Sequence, residues 1–275
     1  MSLFIASINS GSNGNCYYIG NDNEAVLVDA GISCRETVKR MRSIGLSINK
    51  VKAIFISHEH SDHIYGLKVL SERYNIPVYI TRATLQNSGL KLKPELVRSF
   101  TAYQQVYIGM LSVHPFPKSH DAADPHSFLI EGRNVKVGVF TDIGAPCQHV
   151  IEHFKQCNAA FIETNYDEGM LEQGKYPLHL KRRIAGDKGH LSNEQALELF
   201  TAYKPVFMSH VFLSHLSRDN NDPDIVLDLF NRNRGNTKIM VASRYSATAV
   251  HQIMTDNITN MVDRNVDTAK QMSLF

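Results

Sequence analysis

Ser57-His58-Glu59-His60-Ser61-Asp62-His63 closes the run at residues 52–57, where Ala53, Ile54, Phe55 and Ile56 make both faces apolar, as in a buried strand. Side chains two apart on an extended chain point the same way, so the His58 and His60 imidazoles reach one cation together. Asp62 and His63 stand on the turn beyond and face a second. Imidazole nitrogen with carboxylate oxygen suits zinc, manganese or iron, and no cysteine stands near to demand zinc. A polar surface loop that happens to carry histidines is the plain alternative. The H-x-H-x-D-H spacing immediately behind a buried strand favours metal.

A paired site needs more donors, and other strand ends supply the right residue types. His120 follows an expected strand at 111–115 and the short Lys118-Ser119 approach. Asp142 ends the apolar run 135–141, and His215 ends the run 206–214. The expected layout puts His58, His60 and His120 on one divalent ion and Asp62, His63 and His215 on another. Asp142 bridges them, since one carboxylate spans ions about 3.5–4 Å apart. Two zinc or manganese ions, or iron, would hold a bridging water and bring its pKa toward neutrality, making hydroxide the nucleophile.

Outward from this loop, strands and helices alternate. Strands are expected at 3–8, 16–20, 24–29, 77–80, 106–108, 111–115, 127–131, 135–141, 159–163, 205–213 and 238–242, with a hairpin at Asn21-Asp22-Asn23. Ser33 with Glu36 and Ser192 with Gln195 have capping-box spacing, so helices are expected at 34–44, stopped by Gly45, and at 194–202. Further helices are expected at 64–73, 150–154, 223–233 and 246–254; residues 95–105 carry no clear pattern. Because the two kinds of element interleave without a linker, one domain over 1–256 with sheets flanked by helices is expected. Residues 257–275 begin polar and aperiodic, which predicts a mobile tail.

The chain of 275 residues is 43% apolar and 20% charged, ordinary for a globular protein with a sizeable core. Its 29 basic and 27 acidic residues neither demand nor exclude nucleic acid, because a basic patch can hide in a balanced total. Cys16, Cys34, Cys147 and Cys157 form no C-x-x-C pair, which fits a reduced, cytoplasmic setting. Residues 1–10 have no signal-peptide pattern. No apolar run approaches about 18 residues, so no membrane span is expected.

The SHEHSDH loop, the VDAG segment at Val28 to Gly31, Ser119-His120 and Phe140-Thr141-Asp142 resemble the ordered motifs of the metallo-β-lactamase superfamily. The resemblance runs from residue 24 to 215. It implies an α/β fold, an αββα sandwich of two mixed sheets flanked by helices, with the metals at one edge; it makes Asp29 a structural aspartate beside the metal loop. The fold hosts many hydrolases, so it does not name the substrate. Gly11-Ser12-Asn13-Gly14-Asn15-Cys16, Gly189-His190-Leu191-Ser192-Asn193 and His215-Leu216-Ser217-Arg218-Asp219-Asn220-Asn221 resemble the YycJ/WalJ branch, which implies a 5′-to-3′ DNA exonuclease. The chain has no room for the nucleic-acid-clamping insertion of β-CASP nucleases and no Gly-Pro-rich arm of the tRNA-processing kind.

On the substrate side, Lys181, Arg182, Arg183 and Lys188 precede the helix that starts after Ser192. Free N–H groups there, at Ser192 and Asn193, with Lys181 and Arg183 nearby, make an expected phosphate site. His190 is placed to protonate the leaving side and, with Asp62, is an expected catalytic residue. Asn220 and Asn221 are expected to orient the His215 loop; His210 is expected in the core, and His114, His126 and His179 have no role. The final Gln271-Met272-Ser273-Leu274-Phe275 resembles the bacterial sliding-clamp-binding motif. That likeness implies a replication or repair nuclease whose partners are DNA and the clamp. An RNase or a cyclic-phosphate phosphodiesterase on the same site is the alternative enzyme, and a noncatalytic DNA or clamp adaptor is the alternative of another class.

Overall fold

The computed structural model describes residues 2–255. β1 (Leu3–Asn9), β2 (Cys16–Gly20) and β3 (Ala25–Val28) form an antiparallel meander. β4 (Val51–Phe55), β5 (Val78–Tyr79) and β6 (Val97–Arg98) extend it in parallel. The second sheet mirrors this plan. β7 (Val106–Ile108), β8 (Leu111–Pro117), β9 (His126–Gly132) and β10 (Val135–Phe140) are antiparallel, and β11 (Ala159–Glu163), β12 (His210–Ser214) and β13 (Lys238–Val241) continue in parallel. β14 (His251–Ile253) returns to pair with β1, giving two mixed sheets of seven strands.

Parallel neighbours need crossovers, and these supply the helices. α1 (Cys34–Ser43) joins β3 to β4; α2 (Ser61–Ile64) and α3 (Leu67–Tyr74) join β4 to β5; α4 (Arg82–Ser88) precedes β6. On the other side α5 (Gln148–Phe154) joins β10 to β11. α6 (Glu168–Gln173), α7 (Leu178–Ile184) and α8 (Asn193–Tyr203) lie between β11 and β12, and α9 (Pro223–Asn231) joins β12 to β13. Ser33 Oγ accepts the Glu36 N–H at the start of α1, and both bonds of the Ser192–Gln195 capping box are made.

Strand alternation then fills three apolar layers. Ile5, Val28, Ala53 and Phe55 meet Phe128, Val137, Phe161 and Phe212 between the sheets. Ala6, Leu27 and Ile54 face Val38, Met41 and Leu70 of the first helical layer. Phe140, Ile162 and Val211 face Phe154, Phe200 and Phe230 of the second. The order of layers is αββα. Among the described residues, no helix is long and apolar enough to cross a membrane.

Three sequence expectations are corrected. The helix expected at 64–73 is broken at Gly66, whose N–H donates to the Ala30 carbonyl; a Cβ there would lie 1.9 Å from the Ile32 oxygen. Residues 205–208 make a turn before β12, so the strand expected at 205–213 starts at His210. Residues 246–254 are no helix: Thr248 N–H donates to the Ser7 carbonyl and β14 covers the free edge of β1. An open edge offers a row of unpaired backbone groups, and satisfying it outweighed local preference. Lys181, Arg182 and Arg183, which precede the Ser192 helix as expected, lie on α7. The expected tail at 257–275 and the clamp peptide 271–275 lie outside the described residues.

Candidate metal centre

The site is built from strand ends. Asp29 follows β3, the 57–63 loop follows β4, His120 lies beyond β8, Asp142 is two residues past β10, Glu163 closes β11 and His215 follows β12. Three of these, Asp29, Asp142 and His215, hold φ of 63°, 55° and 58°. Side chains other than glycine are uncommon there and gather at functional sites, where a sharp turn off a rigid strand is needed. The metal loop is pressed against the early glycine-rich turn: Asn15 N–H donates to the Asp62 carbonyl, and a Cβ on Gly31 would sit 1.7 Å from that same oxygen. Only glycine lets the two segments touch.

Each buried ring is aimed by a bond through Nδ1. His63 Nδ1–H donates to Asp29 Oδ2 at 2.7 Å, His120 Nδ1–H to the Gly189 carbonyl at 3.0 Å, and His215 Nδ1–H to Glu163 Oε1 at 2.9 Å. His58 Nδ1 lies 2.9 Å from Ser57 Oγ, and that hydroxyl donates to Asp29. Every Nε2 of this set is left for the interior. Such outer partners fix the tautomer and the ring plane of metal-binding histidines.

The inward atoms converge. His58 Nε2 is 3.0 Å from His60 Nδ1, and His120 Nε2 is 3.4 Å from the same atom. Asp62 Oδ2 is 3.4 Å from Nε2 of both His63 and His215. Asp142 lies between the groups, with one oxygen 3.0 Å from His63 Nε2 and the other 3.7 Å from His120 Nε2. His58, His60 and His120 offer donor atoms within 4.8 Å of one another, as do Asp62, His63 and His215, and also His58, His63 and Asp142. Asp142 Oδ2 is buried and has no hydrogen-bond partner among the described residues. An orphaned carboxylate oxygen facing a shell of imidazole lone pairs fits a divalent cation.

Electrostatics agree. Burial holds His58 well below the ordinary imidazole value, with His63 adding to it, and pushes His120 down to about 4. At His63 burial is overcome by Asp142, Asp29 and Asp62, which hold it well above that value. At His215 it is overcome by Asp142, Asp62 and Glu163, which raise it to about 10. Against burial, His215 and His63 hold the Asp142 carboxyl well below the usual range, and His190 and His215 bring Glu163 to about 2. Protons here occupy the place of cations.

The sequence profile of the metallo-beta-lactamase superfamily matches residues 10–144. Exodeoxyribonuclease YycJ of Bacillus anthracis is 37% identical over 224 residues, spanning 80% of this chain and 85% of that protein. The chain belongs to the metallo-beta-lactamase superfamily. Exodeoxyribonuclease WalJ of Streptococcus pneumoniae is 31% identical over 217 residues, 77% of this chain and 81% of that one. The metallo-beta-lactamase fold protein YhfI from Bacillus subtilis superposes with a TM-score of 0.70 at 15% identity, covering 91% of this chain and 99% of that one.

Around this metallo-beta-lactamase centre the expected substrate residues divide. His190 sits at the rim, its side chain 20% exposed and its Nδ1 2.8 Å from Glu163 Oε1. Arg183 reaches the rim through Asp121, at 2.6 Å; Asp121 lies 3.4 Å from His120 Nε2. Lys181 turns away to the Glu172 carbonyl. Ser192 and Asn193 are corrected. Both are buried, Ser192 N–H donates to Gln195, Asn193 N–H donates to the Tyr166 carbonyl, and the Asn193 amide pairs with Asn221. Those N–H groups are already used. Asn221 also donates to the Thr164 carbonyl, and Asn165 is what holds the His215 carbonyl. His210 is buried, as expected.

Sequence reasoning missed Glu163 and Asn15. Glu163 binds His190, His215 and the Ile143 N–H; its signal was a carboxylate ending the apolar run 159–163, the same that marked Asp142. Asn15 Nδ2 lies 3.1 Å from both Asp62 Oδ2 and His63 Nε2. An asparagine that closes a Gly-Ser-Asn-Gly-Asn loop reads as an ordinary turn residue.

Proposed function

We propose that the chain is a divalent-metal-dependent DNA exonuclease of replication or repair, acting in the cytoplasm. The reading rests on one observation: buried rings bonded through Nδ1 present Nε2 around the orphaned Asp142 oxygen. The exodeoxyribonuclease activity named for the Bacillus anthracis and Streptococcus pneumoniae relatives supports the substrate. His58, His60 and His120 would hold one ion, and Asp62, His63 and His215 a second, with Asp142 shared. Zinc and manganese both suit these donors. Bound cations supply Lewis-acid activation of water and of a phosphate oxygen.

The chain's own residues do the rest. Asp62, steadied by Asn15, orients the water side of the site. His190, fixed by Glu163 and open to solvent, delivers a proton to the departing oxygen. Arg183 receives phosphate oxygens at the rim. Action from the 5′ end follows the branch resemblance. The terminal Gln271-Met272-Ser273-Leu274-Phe275 recruits the enzyme to the sliding clamp, raising its concentration at DNA.

Metal-loaded protein is incubated with end-labelled DNA, RNA and cyclic nucleotides. Stepwise shortening of DNA is expected; inert DNA beside cleaved RNA or cyclic nucleotide overturns the assignment. An Asp62→Ala variant that keeps full biological activity would instead leave an adaptor. A clamp pull-down with and without residues 271–275 tests recruitment separately.

A further inference from the structure

Beside the histidine cluster lies a recess of about 310 Å³ that the mechanism above leaves unused. Three segments make it: Ser10 after β1, the loop after β12 into α9 through Leu216 to Arg218, Asn221 and Pro223, and Val241 to Tyr245 at and beyond β13. They are bound to one another. Ser10 N–H donates to the Ser243 carbonyl at 3.2 Å, Asn13 Nδ2 to the Arg244 carbonyl at 3.0 Å, and Ala242 N–H to the Leu213 carbonyl at 2.8 Å. The recess also shares a wall with the cluster. Ser10 Oγ accepts the His215 N–H at 2.7 Å, and Leu216 is the next residue along the chain.

Its lining has two kinds of chemistry. Arg218 and Arg244 are cationic, and Arg244 Nη1 is buried with no acceptor among the described residues. A buried guanidinium N–H without an acceptor is costly, and its planar fork matches phosphate oxygens. Tyr245 is 75% exposed, and Leu216, Val241 and Ala242 add apolar surface. An open aromatic ring beside a cation is what stacks a base while its phosphate is held. The volume falls at the small end of the range of about 300–1,000 Å³ typical of small-molecule pockets.

We propose that this recess holds one nucleotide of the DNA strand next to the scissile bond, its phosphate on Arg244 and its base against Tyr245 and Leu216. This rests on the nuclease reading and adds to it a subsite that fits a single residue of a strand end.

The test uses metal-loaded protein and deoxyadenosine 5′-monophosphate, which the enzyme does not cleave, with binding followed by calorimetry. Arg244→Gln is expected to weaken that binding about tenfold or more by losing a charge-assisted pair. Tyr245→Ala is expected to weaken it about tenfold and to leave inorganic phosphate binding unchanged, while Tyr245→Phe restores it. Metal content and circular dichroism should match the parent in each. On DNA, both loss variants should raise KM with kcat nearly unchanged. Parental nucleotide affinity in Arg244→Gln and Tyr245→Ala overturns the subsite even if DNA is digested normally. Arg244-dependent nucleotide binding by a protein inert on DNA upholds the subsite and rejects the nuclease reading.

Discussion

His190 and Asp29 show how a single residue acts through its neighbours. His190 shares Glu163 Oε1 with His215, yet it is the ring at the solvent edge. His190→Gln is expected to lower turnover by about 10²–10⁴-fold, the span of general acid catalysis, with metal content unchanged. Loss of a metal ion in that variant would show a ligand instead. Asp29 accepts from Ser57 N–H, Ser57 Oγ–H and His63 Nδ1–H at once. Asp29→Asn tolerates the positive φ but turns one acceptor into a donor. Metal affinity is expected to fall about 10–100-fold, measured by competition with a chelator, as when other outer partners of a ligand are lost.

At the scale of elements, two junctions carry consequences. Gly66 divides α2 from α3 because the helix start is driven against the Ile32 carbonyl. Gly66→Ala is expected to cost about 3 kcal/mol in urea unfolding, because backbone has to move on both sides of the contact. The other junction is between sheets. His210, in β12, lies 5.5 Å from the ring of His251 in β14. Burial, then His251 and Lys238, push His210 down from the ordinary 6.5 to about 4. Between those values the unfolded chain binds a proton that the folded one refuses, so stability falls as the pH drops from about 6.5 toward 4. Thermal melts across that window should fall for the parent and fall less steeply for His210→Gln, since His58 and His120 keep their own lowered values; parallel curves would contradict the account.

At the scale of the whole molecule, the centre depends on two sheets being held face to face. The 57–63 loop belongs to one, while His120, Asp142 and His215 belong to the other. Phe128 packs between the sheets and Phe230 beneath the second helical layer, both fully buried. Either Phe→Ala change should cost about 3–5 kcal/mol by the cavity it leaves. Phe128→Ala should also weaken metal binding, whereas Phe230→Ala should leave it near the parent value; denaturation and metal titration separate the two effects.

Much was determined by local order in the chain. The apolar run behind SHEHSDH, the strand-ending His120, Asp142 and His215, and the Ser33 and Ser192 caps state interleaved strands and helices and the candidate donors directly, since strand period and cap chemistry act over a few residues; the αββα layering was implied by the family resemblance. Glu163 was hidden only by being one carboxylate among many. Three other features came from contacts between distant segments. Gly66 breaks a helix because Ile32 lies against it, residues 251–253 become a strand because β1 had an unpaired edge, and Asn193 turns inward because the Tyr166 carbonyl and Asn221 take its polar groups. Backbone hydrogen bonding and exclusion of volume are settled only when remote parts of the chain meet, so tertiary structure alone decided them.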